Sequence, residues 1–212
     1  TMKIETKELS NGGVLTLVKT NSISFKKGDV VLVTDPCYWF DDEGTTLDKS
    51  SNPEKSRFSL WSEFCDMMFP SDWAELSKED KLYTYCFVKY KHPNGDETEF
   101  LMTSTEHGDG GYGVNCDYRV TKKISGDGIS VDAGCYAVTL LSSAKRFDKF
   151  NKSLESEHGT VLELLIDGIV YVDGANMSGA IECVTDDSNE EEEETCDYCD
   201  ETINWCGCEE FS

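Results

Sequence analysis

Short runs of β-branched and aliphatic residues, separated by Gly, Pro, Asn and Asp, make up most of the chain. The sharpest run is Val30 to Val33, which is followed directly by Thr34, Asp35 and Pro36. The run is too short for a helix, and a proline has no amide hydrogen with which to continue a strand ladder. It therefore predicts a buried strand that ends at Asp35 and presents Cys37 and its neighbours at the end of a sheet.

Similar runs predict further strands along the chain. The turn at 92–96 has the composition of a hairpin connection and joins two of these runs. With Val30 to Val33 there are about nine strand candidates. The others are 14–18, 23–25, 82–90, 99–103, 135–141, 161–166, 169–172 and 180–184.

Helical spacing of apolar residues occurs in three places. Ser59 can cap a helix that carries apolar residues from Leu60 to Met68 and ends before Pro70. Asp72 with Glu75 has the spacing of a capping box and predicts a second short helix. These two form a helical insertion at about 58–80. The third helix is predicted from Ser142, with Phe147 and Phe150 on one side.

Strands outnumber helices, and the two do not alternate regularly. This pattern favours an α+β fold with mainly antiparallel β structure, barrel-like or sandwich-like, over a doubly wound fold. The predicted globular domain covers residues 2–184. A run of five glutamates, Glu190 to Glu194, marks residues 185–195 as an acidic linker that cannot bury apolar area.

The charge of the chain is unevenly distributed. The net charge is −23, yet residues 1–152 contribute only −5 of it, and residues 153–212 hold 18 acidic residues without a Lys or Arg. A block of negative charge repels phosphates and disfavours direct binding of nucleic acid. Two interpretations remain: a solubilising linker, or an acidic patch that competes for a basic, nucleic-acid-binding surface of another protein.

The sequence gives no sign of a membrane location. No segment approaches the roughly 18 consecutive apolar residues that a membrane span needs. The N-terminal residues lack the basic and then apolar pattern of a secretory signal. A soluble intracellular protein is therefore expected.

Cysteine usage predicts a metal site. Four cysteines are crowded into residues 196–212, as a Cys-x-x-Cys pair and a Cys-x-Cys pair: Cys196, Cys199, Cys206 and Cys208. Two such turns facing each other can supply four thiolates to one tetrahedral, structural Zn²⁺. Disulfides or a disordered tail are the alternatives. The remaining six cysteines are spaced singly, as reduced structural thiols are: Cys37, Cys65, Cys86, Cys116, Cys135 and Cys183.

Five residues beside predicted strands are candidates for catalysis: Asp35, Cys37, His107, Asp109 and Asp132. A thiolate, a base and an orienting carboxylate are the groups that nucleophilic catalysis needs. The alternative is structural, because single cysteines are commonly buried and aspartates in glycine-rich loops bond their own backbone. A Mg²⁺ or Ca²⁺ site is a further alternative, but its ligands lack the spacing of a known calcium loop: Asp35, Asp109, Asp127 and Asp132.

Three short signatures carry a resemblance. They are Asp35-Pro36-Cys37-Tyr38, Gly108-Asp109-Gly110-Gly111-Tyr112 and Val131-Asp132-Ala133-Gly134. Together they resemble an uncharacterised family of tailed-phage proteins. The resemblance implies phage origin and a shared fold, and it implies no activity. If the signatures specify one fold, the three segments should meet at one end of the sheet.

The expected function is binding without catalysis. The chain is interpreted as an acidic phage protein of the host cytoplasm that modulates a host or defence protein, and this partner would have a basic surface. A small hydrolase that uses the Asp35 and Cys37 strand end is the first alternative. A structural component of the virion is the second. The sequence does not determine the oligomeric state.

Overall fold

The computed structural model describes residues 3–40, 60–77, 80–82, 84–105, 107–147, 158–172 and 182–184. These residues form strands and short helices, numbered here in chain order. The helices are α1 (Cys37–Phe40), α2 (Leu60–Met68) and α3 (Leu141–Ala144). The strands are β1 (Ile4–Glu8), β2 (Val14–Val18), β3 (Ser22–Phe25), β4 (Val30–Thr34), β5 (Tyr85–Lys91), β6 (Glu97–Ser104), β7 (Gly110–Gly113), β8 (Thr121–Ser125), β9 (Gly128–Val131), β10 (Cys135–Leu140), β11 (Thr160–Leu164), β12 (Gly168–Tyr171) and β13 (Glu182–Val184).

The centre of the fold is an eight-stranded sheet in the order β1-β2-β5-β6-β10-β4-β11-β8. Every neighbouring pair in it is antiparallel, as the sequence predicts. A three-stranded sheet, β13-β12-β3, and the pair β7-β9 complete the described β structure. The fold is therefore mostly antiparallel β with few helices.

The prediction of a barrel is wrong, because the large sheet is open. Its outer strands β1 and β8 do not pair with each other. Instead of closing around a single interior, the sheet is buried on both faces at β4. Leu32 of β4 packs with residues of α1 and α2 on one face, while Val31 and Val33 pack with residues of β3, β9 and β12 on the other. Because successive side chains alternate between faces, one strand serves two cores.

The core on the helical face is rich in aromatic rings. Phe40 of α1 lies 5.6 Å from Phe64 of α2 and 5.4 Å from Tyr90 of β5, measured between ring centroids. Trp39 contacts Phe100 of β6 at 5.1 Å. Aromatic pairs at these separations add to the stabilisation that burial provides. The helical turn α1 is thereby fixed against the sheet at the point where β4 ends.

The helical insertion forms only in part as predicted. Helix α2 has the expected apolar face, and its Glu63 is buried and accepts a 2.9 Å hydrogen bond from the backbone N–H of Ser10. The second helix is a single 3-10 turn, Trp73–Glu75. The predicted capping box is wrong, because the Asp72 side chain makes no cap hydrogen bond.

Other differences concern segments without a clear apolar pattern. Strands β1 and β8 are rich in charged residues, and the apolar pattern does not predict them. The glycine-rich segment, predicted as a loop, contains β7, which pairs with β9. The third helix is shorter than predicted, although Phe147 is buried in the aromatic core. Phe150, the linker 185–195 and the cysteine-rich segment 196–212 lie outside the described residues.

None of the described helices is long and apolar enough to cross a membrane.

Candidate functional site at the end of strand β4

Asp35 is the polar centre of the strand end, and its side chain is fully buried. One carboxylate oxygen, Oδ1, accepts a 2.8 Å hydrogen bond from the backbone N–H of Cys37. The other, Oδ2, accepts bonds of 2.8 Å from the backbone N–H groups of Asp132 and Ala133. A single side chain thus joins the end of β4 to the connection between β9 and β10.

The chain turns sharply at this point for a local reason. Pro36 cannot donate to a ladder, and Trp39 donates its backbone N–H to the Pro36 carbonyl at 3.0 Å. The segment after Asp35 is therefore the helical turn α1 and not a splayed strand end. The turn directs Trp39 and Phe40 into the core and leaves Cys37 and Tyr38 partly buried.

Burial and hydrogen bonding act on Asp35 in opposite directions. Burial raises the pKa of this carboxyl group above its ordinary value of 3.8, while the hydrogen bonds from Cys37, Asp132 and Ala133 lower it, and burial is the larger effect. A carboxylate held by three backbone N–H groups has no freedom to approach a substrate. This geometry assigns Asp35 a structural role, because its departure would leave buried donors unpaired.

Tyr38 and Asp132 form the exposed side of the strand end. The Tyr38 hydroxyl donates a 2.6 Å hydrogen bond to the Asp132 carboxylate. Burial, followed by the bond to Asp132, raises the pKa of Tyr38 well above its ordinary value. Tyr38 is therefore a neutral donor at physiological pH and does not act as a base.

His158 lies against this pair and was not singled out in the sequence. Its ring centroid is 5.0 Å from that of Tyr38, and its backbone carbonyl accepts hydrogen bonds from Thr34 and Ser130. Its Nδ1 atom is buried, and none of the residues that the structure describes forms a hydrogen bond with it. The sequence signal is slight: a histidine followed by a glycine just before β11.

The glycine-rich signature joins the same region through the backbone. Gly110 of β7 is the register partner of Val131 of β9, and the N–H of Thr105 donates to the Gly134 carbonyl at 2.8 Å. A Cβ atom at Gly128 would lie 2.4 Å from the Tyr112 carbonyl oxygen, so only glycine allows this close approach. The three signature segments therefore meet, as the sequence analysis expects.

The remaining candidate residues are exposed on connections between strands. His107 and Asp109 are exposed on the connection between β6 and β7. Asp127 is exposed and forms a 3.4 Å ion pair with Lys123. Among the residues that the structure describes, no group of three or more His, Cys, Asp or Glu side chains is arranged to hold a metal ion. The Mg²⁺ or Ca²⁺ alternative therefore gains no support from the described part of the chain.

Five of the single cysteines are free thiols: Cys37, Cys65, Cys86, Cys116 and Cys135. Burial raises the pKa of Cys86 to about 12 and, with nearby carboxylates, that of Cys65 to about 11. Burial also raises the pKa of Cys135 well above its ordinary value. These thiols are protonated and unreactive at neutral pH. The four zinc candidates, from Cys196 to Cys208, lie outside the described residues.

A cleft of about 320 Å³ lies at a different place, between β3, β6 and α3. Asp29, Glu97 and Glu99 line it together with Arg146. Lys89 forms ion pairs with both glutamates, at 2.9 and 3.5 Å, and Arg146 donates to the Glu97 backbone carbonyl. The Glu97 and Glu99 carboxylates are thus partly neutralised.

Comparison of the chain with models of known protein families, with curated proteins and with solved structures finds no match.

Proposed function

We propose that this chain is an acidic phage protein that acts in the host cytoplasm by binding a host or defence protein, without chemistry of its own. The observation that carries the proposal is the role of Asp35. The most distinctive polar residue of the strand end is committed to three backbone N–H groups in the interior. The signatures therefore support a scaffold, and the surface of that scaffold is left to perform the function.

The charge distribution indicates what kind of partner would bind. Of 42 acidic residues, 18 lie beyond residue 152, where there is no Lys or Arg. Such a block attracts basic surfaces, accelerates association with them and repels nucleic acid. A protein that normally binds DNA or RNA has a surface of this kind, and the acidic segment would compete with the nucleic acid for it.

Truncation tests this role of the tail. Deleting residues 185–212 removes twelve acidic side chains. We expect the affinity for the captured partner to fall steeply and the salt dependence of the remaining binding to flatten, because screened charge pairs are lost. A pull-down from infected cells identifies the partner, and a salt titration of both chains measures the effect.

A milder variant separates charge from the cysteine-rich segment. Changing Glu190 to Glu194 to glutamine removes five charges and keeps every cysteine. This variant should reproduce part of the truncation effect. It should also compete less well with nucleic acid for the basic surface of the partner. Equal affinity and an equal salt slope for wild type, truncation and glutamine variant would contradict the proposal and leave the tail as a solubiliser.

Hydrolysis is the second candidate, favoured by one observation. Cys37 precedes Tyr38 on α1, and Tyr38 hydrogen-bonds Asp132 and lies beside His158, so a thiol, a carboxylate and an imidazole occur at one strand end. We expect the purified chain to leave chromogenic ester, amide and phosphoester substrates unchanged. If the chain turns over one of these substrates, and the turnover is lost in Cys37→Ala but kept in Cys65→Ala, the function is hydrolysis and not binding.

A structural role in the virion is distinguished by location. Under the binding proposal, mass spectrometry of purified particles should detect the chain only at trace level. Stoichiometric amounts in the particle would identify it as a virion component instead.

The proposal also includes one structural Zn²⁺ bound by Cys196, Cys199, Cys206 and Cys208, since paired thiolates at this spacing suit tetrahedral zinc.

A further inference from the structure

Strand β1 lies at one edge of the eight-stranded sheet, and among the described strands it pairs only with β2. Glu5 and Lys7, of opposite charge, share one face of the strand, and Glu5 also forms a 2.9 Å ion pair with Lys3 on that face. Ile4, on the other face, is 56% exposed. An open strand edge, with its backbone N–H and C=O groups unpaired by any described strand, is a template for pairing with another strand.

The hydrogen-bond pattern shows which backbone groups of β1 face outward. Lys19 donates its backbone N–H to Lys3, and Leu9 donates to Gly13, so the odd-numbered residues of β1 bond to β2. In an antiparallel ladder the bonding direction alternates with each residue. The N–H and C=O groups of Ile4, Thr6 and Glu8 therefore point away from the sheet.

We propose that β1 pairs with β1 of a second copy of this chain, with Thr6 opposite Thr6 of the other copy, to form one continuous sheet across a symmetric dimer. Two-fold symmetry perpendicular to the sheet keeps each residue on the same face in both copies. Only registers centred on a residue satisfy this condition. Within the middle of β1 the possible centres are Glu5, Thr6 and Lys7.

Charge selects among the three registers. A centre at Glu5 places two glutamates opposite each other, and a centre at Lys7 places two lysines opposite each other. A centre at Thr6 places Glu5 of each copy opposite Lys7 of the other, twice. These are the non-hydrogen-bonded pairs, in which side chains lie closest, so opposite charges gain most and like charges cost most there.

The proposed contact is small, which predicts a weak dimer. Edge pairing through one five-residue strand buries less than the about 1,200 Å² of a typical stable interface. Sedimentation velocity on the full chain, at concentrations rising to about 1 mM, should show the mass increasing from 23.7 kDa toward twice that value.

Charge reversal gives a matched test. In Glu5→Lys both facing positions are lysine, and in Lys7→Glu both are glutamate, so each variant alone should stay monomeric. An equimolar mixture of the two restores both opposite-charge pairs and should associate at least as well as the wild type. The double variant Glu5→Lys with Lys7→Glu should also dimerise, since it exchanges the two charges without changing their pairing.

Thr6→Pro tests the backbone contribution. The Thr6 N–H faces outward, so proline removes an intermolecular donor and no backbone bond to β2, although the exposed 3.3 Å hydrogen bond between the Thr6 and Thr16 hydroxyls is lost. Circular dichroism should confirm that the fold is kept. This variant should stay monomeric alone and in every mixture. A wild type that stays at 23.7 kDa throughout, or a dimer that persists unchanged in Glu5→Lys and Thr6→Pro, would overturn the proposal.

Discussion

Replacing Asp35 with alanine is expected to lower the free energy of unfolding at neutral pH by about 3–5 kcal/mol, since three buried backbone donors lose their acceptor at about 1–3 kcal/mol each. Relief from burying a carboxylate offsets part of this sum. The donors are the N–H groups of Cys37, Asp132 and Ala133, all at 2.8 Å from the carboxylate. Chemical denaturation, followed by the fluorescence of the tryptophans, measures the change.

Two further variants make the result specific. Asp35→Asn keeps the shape but turns an amide NH₂ toward one of the three donors, so an intermediate loss is expected. Asp109→Ala removes an exposed aspartate from another signature and should change stability by less than about 0.5 kcal/mol. A loss below about 1 kcal/mol in Asp35→Ala would contradict the structural role and reopen the question of a site.

The stability difference between wild type and Asp35→Ala should also depend on pH. Burial raises the folded-state pKa of Asp35, so above pH 3.8 the folded chain holds this proton more firmly than the unfolded chain does. The contribution of Asp35 is therefore largest below its ordinary pKa and declines as the pH rises through the raised value. The loss caused by the substitution should be greater at about pH 4.5 than at pH 7. A difference that widens with pH would mean that the hydrogen bonds outweigh burial.

The strands that the sequence predicts are those that alternate or cluster apolar residues. Strand β4 sends Leu32 to one core and Val31 and Val33 to the other, and this double burial is why the run is continuously apolar. The apolar pattern does not predict strand β1, because an edge strand buries little apolar area and the sequence of β1 is mostly charged. The glycine-rich strand β7 is hidden for a similar reason, since Gly110 and Gly113 offer no side chain to read.

The sequence predicts where the polar residues at the end of β4 come together, but it does not predict the role of each residue. Pro36 marks where β4 stops, and the three signatures indicate that Asp35, the glycine-rich segment and Asp132 belong together. Only the geometry distinguishes the buried acceptor Asp35 from the exposed Asp132, which accepts from Tyr38. His158 could not be assigned to the cluster, because long-range contacts between connections leave no periodic signal in a sequence.

Zinc binding is the prediction with the other large effect. Protein purified without added metal should contain about one zinc per chain, because structural zinc in short cysteine-rich peptides is bound by about 10 kcal/mol or more. Thiolate ligation releases the cysteine protons, so occupancy should fall as the pH is lowered. Elemental analysis over a pH series measures both. The ligands are Cys196, Cys199, Cys206 and Cys208.

Single substitutions test whether the four crowded cysteines bind the zinc and the singly spaced cysteines do not. Cys199→Ser should release the metal, because three thiolates and a weak fourth ligand do not complete the tetrahedral site. Cys116→Ser is the matched control: it removes one partly buried thiol of the globular domain and should leave the zinc content at one per chain. After zinc is removed by a chelator, the main thermal transition should stay nearly in place. This transition reports unfolding of Asp35 and the two hydrophobic cores, whose residues all precede the cysteine-rich segment in the sequence.

The contrary result is equally definite. Zinc below about 0.2 per chain, with the four cysteines freely reactive or paired in disulfides, would contradict the prediction, because a site of this affinity survives purification. Loss of the main thermal transition together with the metal would contradict its second part, the independence of the segment. If zinc is absent, the acidic residues around the cysteines, Glu190 to Glu194 among them, act through their charge alone, and the tail truncation then tests the whole contribution of residues 185–212 to binding.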